Sequence, residues 1–308
     1  MRSRYQALAA VLPLGLVLLA SACSSAAGAP DPGGKVVAVG AENEYANVIG
    51  QVGGNYVQVS AIMSNPNTDP HTFEASASVA REVSAAQLVV QNGVGYDTFM
   101  NTIENAAPSS SRKVIVVQDL LGLPTDTPNP HLWYKPSTMP AVANAIAGDL
   151  AALQPAHASY FKANAAAFAA SLDAWDNAIA AFKAKYPGTP VATTEPVADY
   201  MLQAAGTDNM TPFAFQADIM NGTDPSAQDV AIERSLFTQH KVKAFLYNQQ
   251  VTDTLTESFI TLAQQNNIPV VGVYETMPVP GFDYQSWMLT EVQDLTKAVA
   301  DHISTEHL

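Results

Sequence analysis

Short apolar runs alternate with segments of helical character along most of the chain. The runs that predict buried strands are Val36–Val39, Val57–Val59, Leu88–Val90, Val114–Val117, Val191–Thr193, Val242–Leu246 and Val270–Tyr274. The segments between them that predict helices are Tyr45–Val52, Ser76–Ala86, Pro196–Ala205 and Thr252–Gln265. Because strands that alternate with helices favour parallel sheets, the pattern predicts an α/β protein.

The clearest periodic segment, Ala156–Tyr186, lies between the two groups of strands. Its large apolar residues recur at helical spacing and form one face of an amphipathic helix. They are Phe161, Phe168, Leu172, Trp175, Ile179 and Phe182. About 31 residues of helix reach roughly 46 Å, so the segment predicts a single long rigid helix that joins two β/α lobes. The predicted bounds are 35–155 for the N-terminal lobe, 156–186 for the linking helix and 187–308 for the C-terminal lobe.

The first residues have the pattern of a secretory signal peptide. Arg2 and Arg4 form a short basic segment, and the uncharged apolar stretch Ala7–Ala20 follows it. This stretch is too short to span a hydrocarbon core of ~30 Å. Small residues then precede Cys23, an arrangement that resembles the lipid-attachment motif of bacterial lipoproteins, although Ala20 stands where leucine is more common.

We therefore expect residues 1–22 to be removed and Cys23 to carry a lipid. Residues 23–34 are small, polar and rich in proline and glycine, which predicts a flexible tether. The alternative is an ordinary secretory peptide with an incidental cysteine.

The composition excludes several classes of function. The 308 residues are 48% hydrophobic, enough for a sizeable core, and carry 28 acidic against 14 basic residues. Loss of the two N-terminal arginines leaves 12 basic residues and a net charge of −16. This surplus argues against a nucleic-acid partner. The single cysteine excludes an internal disulfide and a cysteine-based zinc site.

Two of the six histidines lie in nearly identical turns, Asp69-Pro70-His71 and Asn129-Pro130-His131. Proline fixes its own φ and keeps the preceding residue out of the helical region, so each histidine is presented by a stiff turn. Glu195 lies in a similar turn after a predicted strand, and Glu275 directly follows the last predicted strand.

Ligands of open α/β sheets bind beyond the carboxyl ends of the strands. We therefore expect His71 and His131 from the N-terminal lobe to meet Glu195 and Glu275 from the C-terminal lobe in the cleft between the lobes. Two imidazoles with one or two carboxylates suit a tetrahedral zinc site or a more open manganese site. The alternatives are that the histidines only cap their turns and that Glu275 only caps a helix.

Four motifs in sequence order give the chain a resemblance to a known family. They are Asp69–Glu74, Ala86–Gly93, Asn129–Trp133 and Asp224–Asp229. Together they resemble the metal-binding solute-binding lipoproteins of bacterial zinc and manganese ABC importers, and the resemblance covers nearly all of the mature chain. It implies two β/α domains joined by a rigid helix, with modest movement on metal loading.

The resemblance also implies a ligand set. His71 and His131 match the two histidine motifs of the family, and its third ligand, histidine or glutamate, falls on Glu195. The fourth ligand is usually an acid after the last long strand. A strict count from Ile268-Pro269 puts Met277 at that position rather than Glu275, so a water molecule is the alternative fourth ligand.

The identity of the metal stays open between zinc and manganese. Glu195 in place of a third histidine favours manganese by ligand hardness, whereas the intrinsic order of affinities favours zinc. The segment Leu123–Pro128 lacks the histidine-rich loop that zinc-specific members often carry. Zinc is the slightly preferred metal, because it is the more common cargo of the wider family.

The implied function is the capture of one divalent ion as cargo and its delivery to the membrane permease of an ABC importer. We expect a monomer without enzymatic activity, held on the extracytoplasmic face of the cell membrane by its lipid alone. The sequence contains neither Gly-x-Ser-x-Gly nor His-Glu-x-x-His. One alternative is a zinc hydrolase that uses His71, His131 and Glu195, with Glu74 as a candidate base. The other is a surface adhesion lipoprotein on the same fold.

Overall fold

The computed structural model describes residues 34–67, 69–278 and 280–308. The predicted signal peptide, Cys23 and residues 23–33 of the predicted tether lie outside the described residues. Within the described ranges, no helix has both the length and the apolar character needed to cross a membrane.

A sheet of four parallel strands organises the N-terminal half. The strands are β1 (Val36–Glu42), β2 (Val57–Met63), β3 (Leu88–Gln91) and β4 (Lys113–Val116), in the order β2-β1-β3-β4. The helices are α1 (Asn43–Gly53), α2 (Ala77–Ala85), α3 (Thr98–Ala106), α4 (Val117–Leu120) and α5 (Thr138–Leu153). Strand β3 is buried along its whole length, with Val90 in the main core and Val89 in a second core beside Val83. Burial on both faces explains why its sequence is a continuous apolar run.

The C-terminal half contains a second parallel sheet. Its strands are β5 (Pro190–Thr193), β6 (Asp208–Asn209), β7 (Ala244–Asn248) and β8 (Val270–Val273), in the order β6-β5-β7-β8. The helices after the linking segment are α8 (Asp199–Ala204), α9 (Phe213–Met220), α10 (Ala227–Thr238), α11 (Thr254–Gln265) and α12 (Tyr284–Asp301). All seven predicted strands are present, with ends shifted by up to four residues. Strand β6 escaped prediction because two polar residues give no apolar pattern.

The two sheets have the same topology. In each, the first strand lies between the second and the third, and all neighbours pair in parallel. The direction of the connections therefore changes between β1 and β3 in one sheet and between β5 and β7 in the other. Such a switch point opens a crevice at the carboxyl ends of the strands. This repeat of topology has no counterpart in aligned residues.

The linking segment is two helices rather than the single helix predicted over 156–186. Helix α6 (Ala158–Ser171) and helix α7 (Asp173–Lys185) are separated by Leu172, whose N–H bonds to the Ala169 carbonyl. Helix α6 packs against α1 and α5, whereas α7 packs against α8 and α12. The interruption therefore coincides with a change of packing partners from the N-terminal to the C-terminal half.

The predicted apolar stripe of the linking segment is buried in a core that both halves share. All six of its large residues are buried. Trp175 and Phe168 pack on the ring of Tyr284 from helix α12, at centroid distances of 6.1 and 6.2 Å. The Tyr284 hydroxyl in turn donates to the Trp133 carbonyl in the N-terminal half at 2.6 Å. Because of this shared core, the described residues form one compact unit, and the division into lobes at 155 and 187 stays a prediction.

Replacement of Trp175 tests the shared core. Trp175→Ala is expected to lower the free energy of unfolding by about 3–5 kcal/mol, because it leaves a large cavity beside Tyr284. The indole N–H has no hydrogen-bond partner among the described residues. Trp175→Phe therefore keeps most of the packing and is expected to cost less than about 1.5 kcal/mol. Urea denaturation measures the free energy of unfolding of both variants, provided that the dependence on urea concentration has the same slope as in the wild type. Equal losses for the two variants would contradict this account.

Candidate metal centre

The two histidine turns share one local structure. The Asp69 Oδ1 atom accepts a hydrogen bond from the His71 backbone N–H at 2.8 Å, and Asn129 Oδ1 accepts from the His131 N–H at 3.0 Å. Each turn is thus an Asx turn closed around a proline, which is the stiff presentation that the sequence predicts. The turns are closed by side chains of Asp69 and Asn129, so both imidazole rings are left for another role.

Three of the four predicted ligands converge. The Oε2 atom of Glu275 lies 3.1 Å from His71 Nε2 and 3.2 Å from His131 Nε2. One ligand atom from each residue lies within 4.8 Å of the others. Met277, which the count from Ile268-Pro269 places at the fourth position, is held by its backbone, since both of its backbone polar groups bond to the side chain of Asn43. The carboxylate of Glu275 faces both histidine nitrogens.

These separations are those of ligands that share one ion. Two atoms that each lie about 2.1 Å from a metal, at an angle of about 100°, are about 3.2 Å apart. The nitrogen–oxygen distances at Glu275 match this value. All three ligand atoms lie within 4.8 Å of one another, so small adjustments of the imidazole rings would let them share one ion.

Asn129 fixes which nitrogen of His131 faces the site. Its amide donates from Nδ2 to the Pro196 carbonyl at 2.7 Å, so its Oδ1 faces His131 Nδ1 at 2.8 Å. An oxygen acceptor there assigns the proton to Nδ1 and leaves the lone pair of Nε2 directed at Glu275. In this tautomer the Nε2 lone pair is available to an ion that Glu275 Oε2 also contacts. The sequence indicates Asn129 only as part of a turn and does not predict that it orients the ring of His131.

Glu195 reaches the site through an intermediary. It is 2% exposed at the end of β5 and is not part of the three-residue cluster. The Asn248 Nδ2 atom donates to Glu195 Oε1 at 3.0 Å and to Glu275 Oε1 at 2.7 Å. Asn248 was missed by sequence reasoning, although a polar residue that ends the apolar run Ala244–Tyr247 was a usable signal.

Aromatic residues enclose the cluster. The Tyr96 hydroxyl donates to Glu275 Oε2 at 2.9 Å, and its ring lies edge-on to His71 with centroids 5.2 Å apart. Trp133 is fully buried and packs edge-on against His131 at 5.4 Å. No pattern in the sequence points to Tyr96, because a tyrosine after a glycine turn has no distinctive pattern.

Burial opposes the charged form of every group in the site, and the histidines determine which carboxyl group ionises. Burial raises the pKa of Glu275, but His71 and His131 outweigh burial and hold that pKa well below its usual range. Burial and the nearby Glu275 charge raise the pKa of Glu195 well above its ordinary value. Burial lowers the pKa of His131. At His71 burial also acts to lower the pKa, but the Glu275 charge outweighs it, and the pKa is raised.

Access to the cluster lies on the His71 side. The side chain of His71 is 20% exposed, whereas His131 and Glu275 are fully buried. A cavity of about 330 Å³ adjoins His71 and is lined by residues of both halves, among them Phe99 and Met220. The site therefore lies between the two halves, as the sequence predicts. Glu74, the candidate base of the hydrolase alternative, is exposed.

Comparison with known proteins identifies the family of the chain. A family profile described as "Zinc-uptake complex component A periplasmic" (ZnuA) matches residues 39–298. The manganese ABC transporter substrate-binding lipoprotein PsaA of Streptococcus anginosus is 23% identical over 277 residues, which cover 84% of this chain and 86% of that protein.

Solved structures share the fold at low sequence identity. The periplasmic zinc-binding protein TroA of Treponema pallidum aligns with a TM-score of 0.70 and 19% identity, over 88% of this chain and all of that one. A mutant of the laminin-binding adhesin Lmb of Streptococcus agalactiae aligns with a TM-score of 0.71 and 18% identity, over 86% of this chain and all of that one. Because the family profile spans most of the sequence, the chain belongs to the ZnuA family of periplasmic zinc-uptake components.

Proposed function

We propose that this protein captures one divalent transition-metal ion outside the cytoplasmic membrane and delivers it to the permease of an ABC importer. The observation that carries the proposal is the cluster of His71, His131 and Glu275, whose ligand atoms lie within 4.8 Å of one another. The family and the transport proteins that resemble the chain support the same function.

The cargo is zinc or manganese. Imidazole nitrogens suit both ions, and carboxylate oxygens add affinity for the harder manganese. Two histidines and one or two glutamates from opposite halves of the molecule form a donor set that either ion accepts. The ion is the transported substrate, so it has to bind tightly and still leave.

Burial of the ligands favours a carrier over a hydrolase. A hydrolytic site needs an open coordination position, room for a substrate and a base that reaches the bound water. Here His131 and Glu275 are fully buried, the Tyr96 hydroxyl bonds to Glu275, and Glu74 is exposed and is not a member of the cluster found among the described residues. The absence of enzymatic activity is part of the proposal.

The protein acts as a monomer on the extracytoplasmic face of the cell membrane. The proposed anchor is a lipid on Cys23, and residues 23–34 form the tether to the folded body. The sequence of the first 23 residues supports this placement, because a basic segment, a short apolar stretch and the only cysteine follow in order.

Loss of either histidine is expected to weaken metal binding by more than about 100-fold, beyond the effect typical of residues that only support a ligand. The variants are His71→Ala and His131→Ala, and calorimetry with zinc and with manganese measures the affinities. His307→Ala, at an exposed position, is the matched control and should bind as the wild type does. Unchanged affinity for both metals in both site variants would refute the proposed site.

Glu195→Gln tests whether the fourth ligand is a protein carboxylate. The substitution keeps the size of the side chain and removes its charge, so we expect the affinity to fall by at least about tenfold. The same calorimetry measures it. Wild-type affinity in this variant would assign the fourth position to water.

Cys23→Ser tests the anchor. Without the thiol no lipid can be attached, and one acyl chain or more supplies the membrane affinity in this account. We expect the protein to move from the membrane fraction to the soluble extracytoplasmic fraction in cells, with metal affinity unchanged. Retention in the membrane fraction would contradict lipid anchoring at this residue.

A further inference from the structure

Hydrogen bonds fix the orientation of the Asn248 side chain at the end of strand β7. It is completely buried, and its backbone N–H donates to Thr194 Oγ1 at 3.0 Å. Its Oδ1 accepts from the backbone N–H of Gln250 at 3.0 Å. Because that N–H can only donate, the oxygen of the amide faces Gln250 and the NH₂ group faces the metal centre.

The NH₂ group of Asn248 uses both hydrogens on carboxylates. It donates to Glu275 Oε1 at 2.7 Å and to Glu195 Oε1 at 3.0 Å. In each glutamate the other oxygen is not engaged by Asn248, although Glu275 Oε2 also accepts a hydrogen bond from the Tyr96 hydroxyl at 2.9 Å. Glu275 Oε2 faces the two histidine nitrogens, and Glu195 Oε2 is buried with no hydrogen-bond partner among the described residues.

We propose that Asn248 sets the coordination number of the site, and thereby its preference for zinc, by holding one oxygen of each glutamate away from the ion. This inference rests on the proposed function. A glutamate whose Oε1 is engaged by an amide binds an ion through Oε2 alone. Two such glutamates and two imidazoles supply four donors, which is the tetrahedral set of zinc.

Manganese loses more than zinc by this arrangement. It prefers more oxygen donors in a larger coordination shell, which bidentate carboxylates would supply. The position of Asn248 also follows from topology, since β5 and β7 are neighbours at the switch point, so Glu195 and Asn248 lie side by side.

The test compares zinc and manganese affinities, measured by competition with a chelator, in the wild type and in Asn248→Leu. Loss of the amide frees both Oε1 atoms, so we expect zinc affinity to fall about 10–100-fold. Manganese affinity should change by less than about threefold. The two freed carboxylate oxygens can then also bind manganese, which offsets the loss of the hydrogen bonds that position the glutamates. In cobalt(II)-loaded protein, the strong visible absorption of a tetrahedral ion should give way to the weak absorption of a higher-coordinate one.

Gln216→Met is the matched control. Gln216 is another buried amide of this half, and its Nε2 donates to Thr193 Oγ1 at 2.7 Å and to Asp199 Oδ2 at 3.1 Å. It holds a carboxylate outside the cluster, so its loss should lower stability and leave the zinc-to-manganese ratio unchanged. If Asn248→Leu does not fold, the same two metal affinities are measured in Asn248→Ser. A serine hydroxyl can hold at most one of the two glutamates, so the same direction of change is expected.

The outcomes separate the two proposals. A wild type that binds both metals, with equal losses for zinc and manganese in the Asn248 variants and an unchanged cobalt spectrum, overturns the role of Asn248 alone. A wild type that binds neither metal overturns the proposed function and this inference with it. A shift of the ratio by about tenfold or more toward manganese supports the inference.

Discussion

The buried carboxylate of Glu275 is the constraint on which the rest of the site depends. An ionised group without water needs partners, and Glu275 has four: two imidazoles and a tyrosine hydroxyl around Oε2 and an amide on Oε1. Those partners come from three loops of the N-terminal half and one strand of the C-terminal half. The carboxylate therefore joins the halves chemically as well as forming the centre of the site.

Topology explains how residues so far apart in sequence meet. Both sheets place the first and third strands of their half side by side, and their carboxyl ends open toward the same cleft. Asx turns hold polar groups of the segments that follow the strands: the backbone N–H of His71 and that of His131 each close such a turn in one half, and the side chain of Asn248 closes one in the other. Closed turns of this kind have little freedom, which suits ligand positions that have to be held within a few tenths of an ångström.

Much of this arrangement could be predicted from the sequence, because it is local. Apolar runs give the strands, and the Pro-His turns give His71 and His131. What could not be predicted depends on partners distant in the chain. The orientation of Asn129 depends on a carbonyl 67 residues away, and the bonds of Asn248 depend on two glutamates that become neighbours only when the sheets form. The break at Leu172 is of the same kind, since helical periodicity continues across it and only the packing partners change.

The shared core limits how the ion can enter. Tyr284 packs on the linking helices and bonds to the N-terminal half, so wide separation of the halves would expose a large apolar surface at high cost in free energy. His131 is held by the bond from its Nδ1 to Asn129 and by packing against Trp133, and Glu275 is fully buried. His71 is the ligand whose side chain reaches solvent and whose ring adjoins the cavity. Local movement of the His71 turn, rather than opening of the whole molecule, is therefore the least costly way to admit and release the ion.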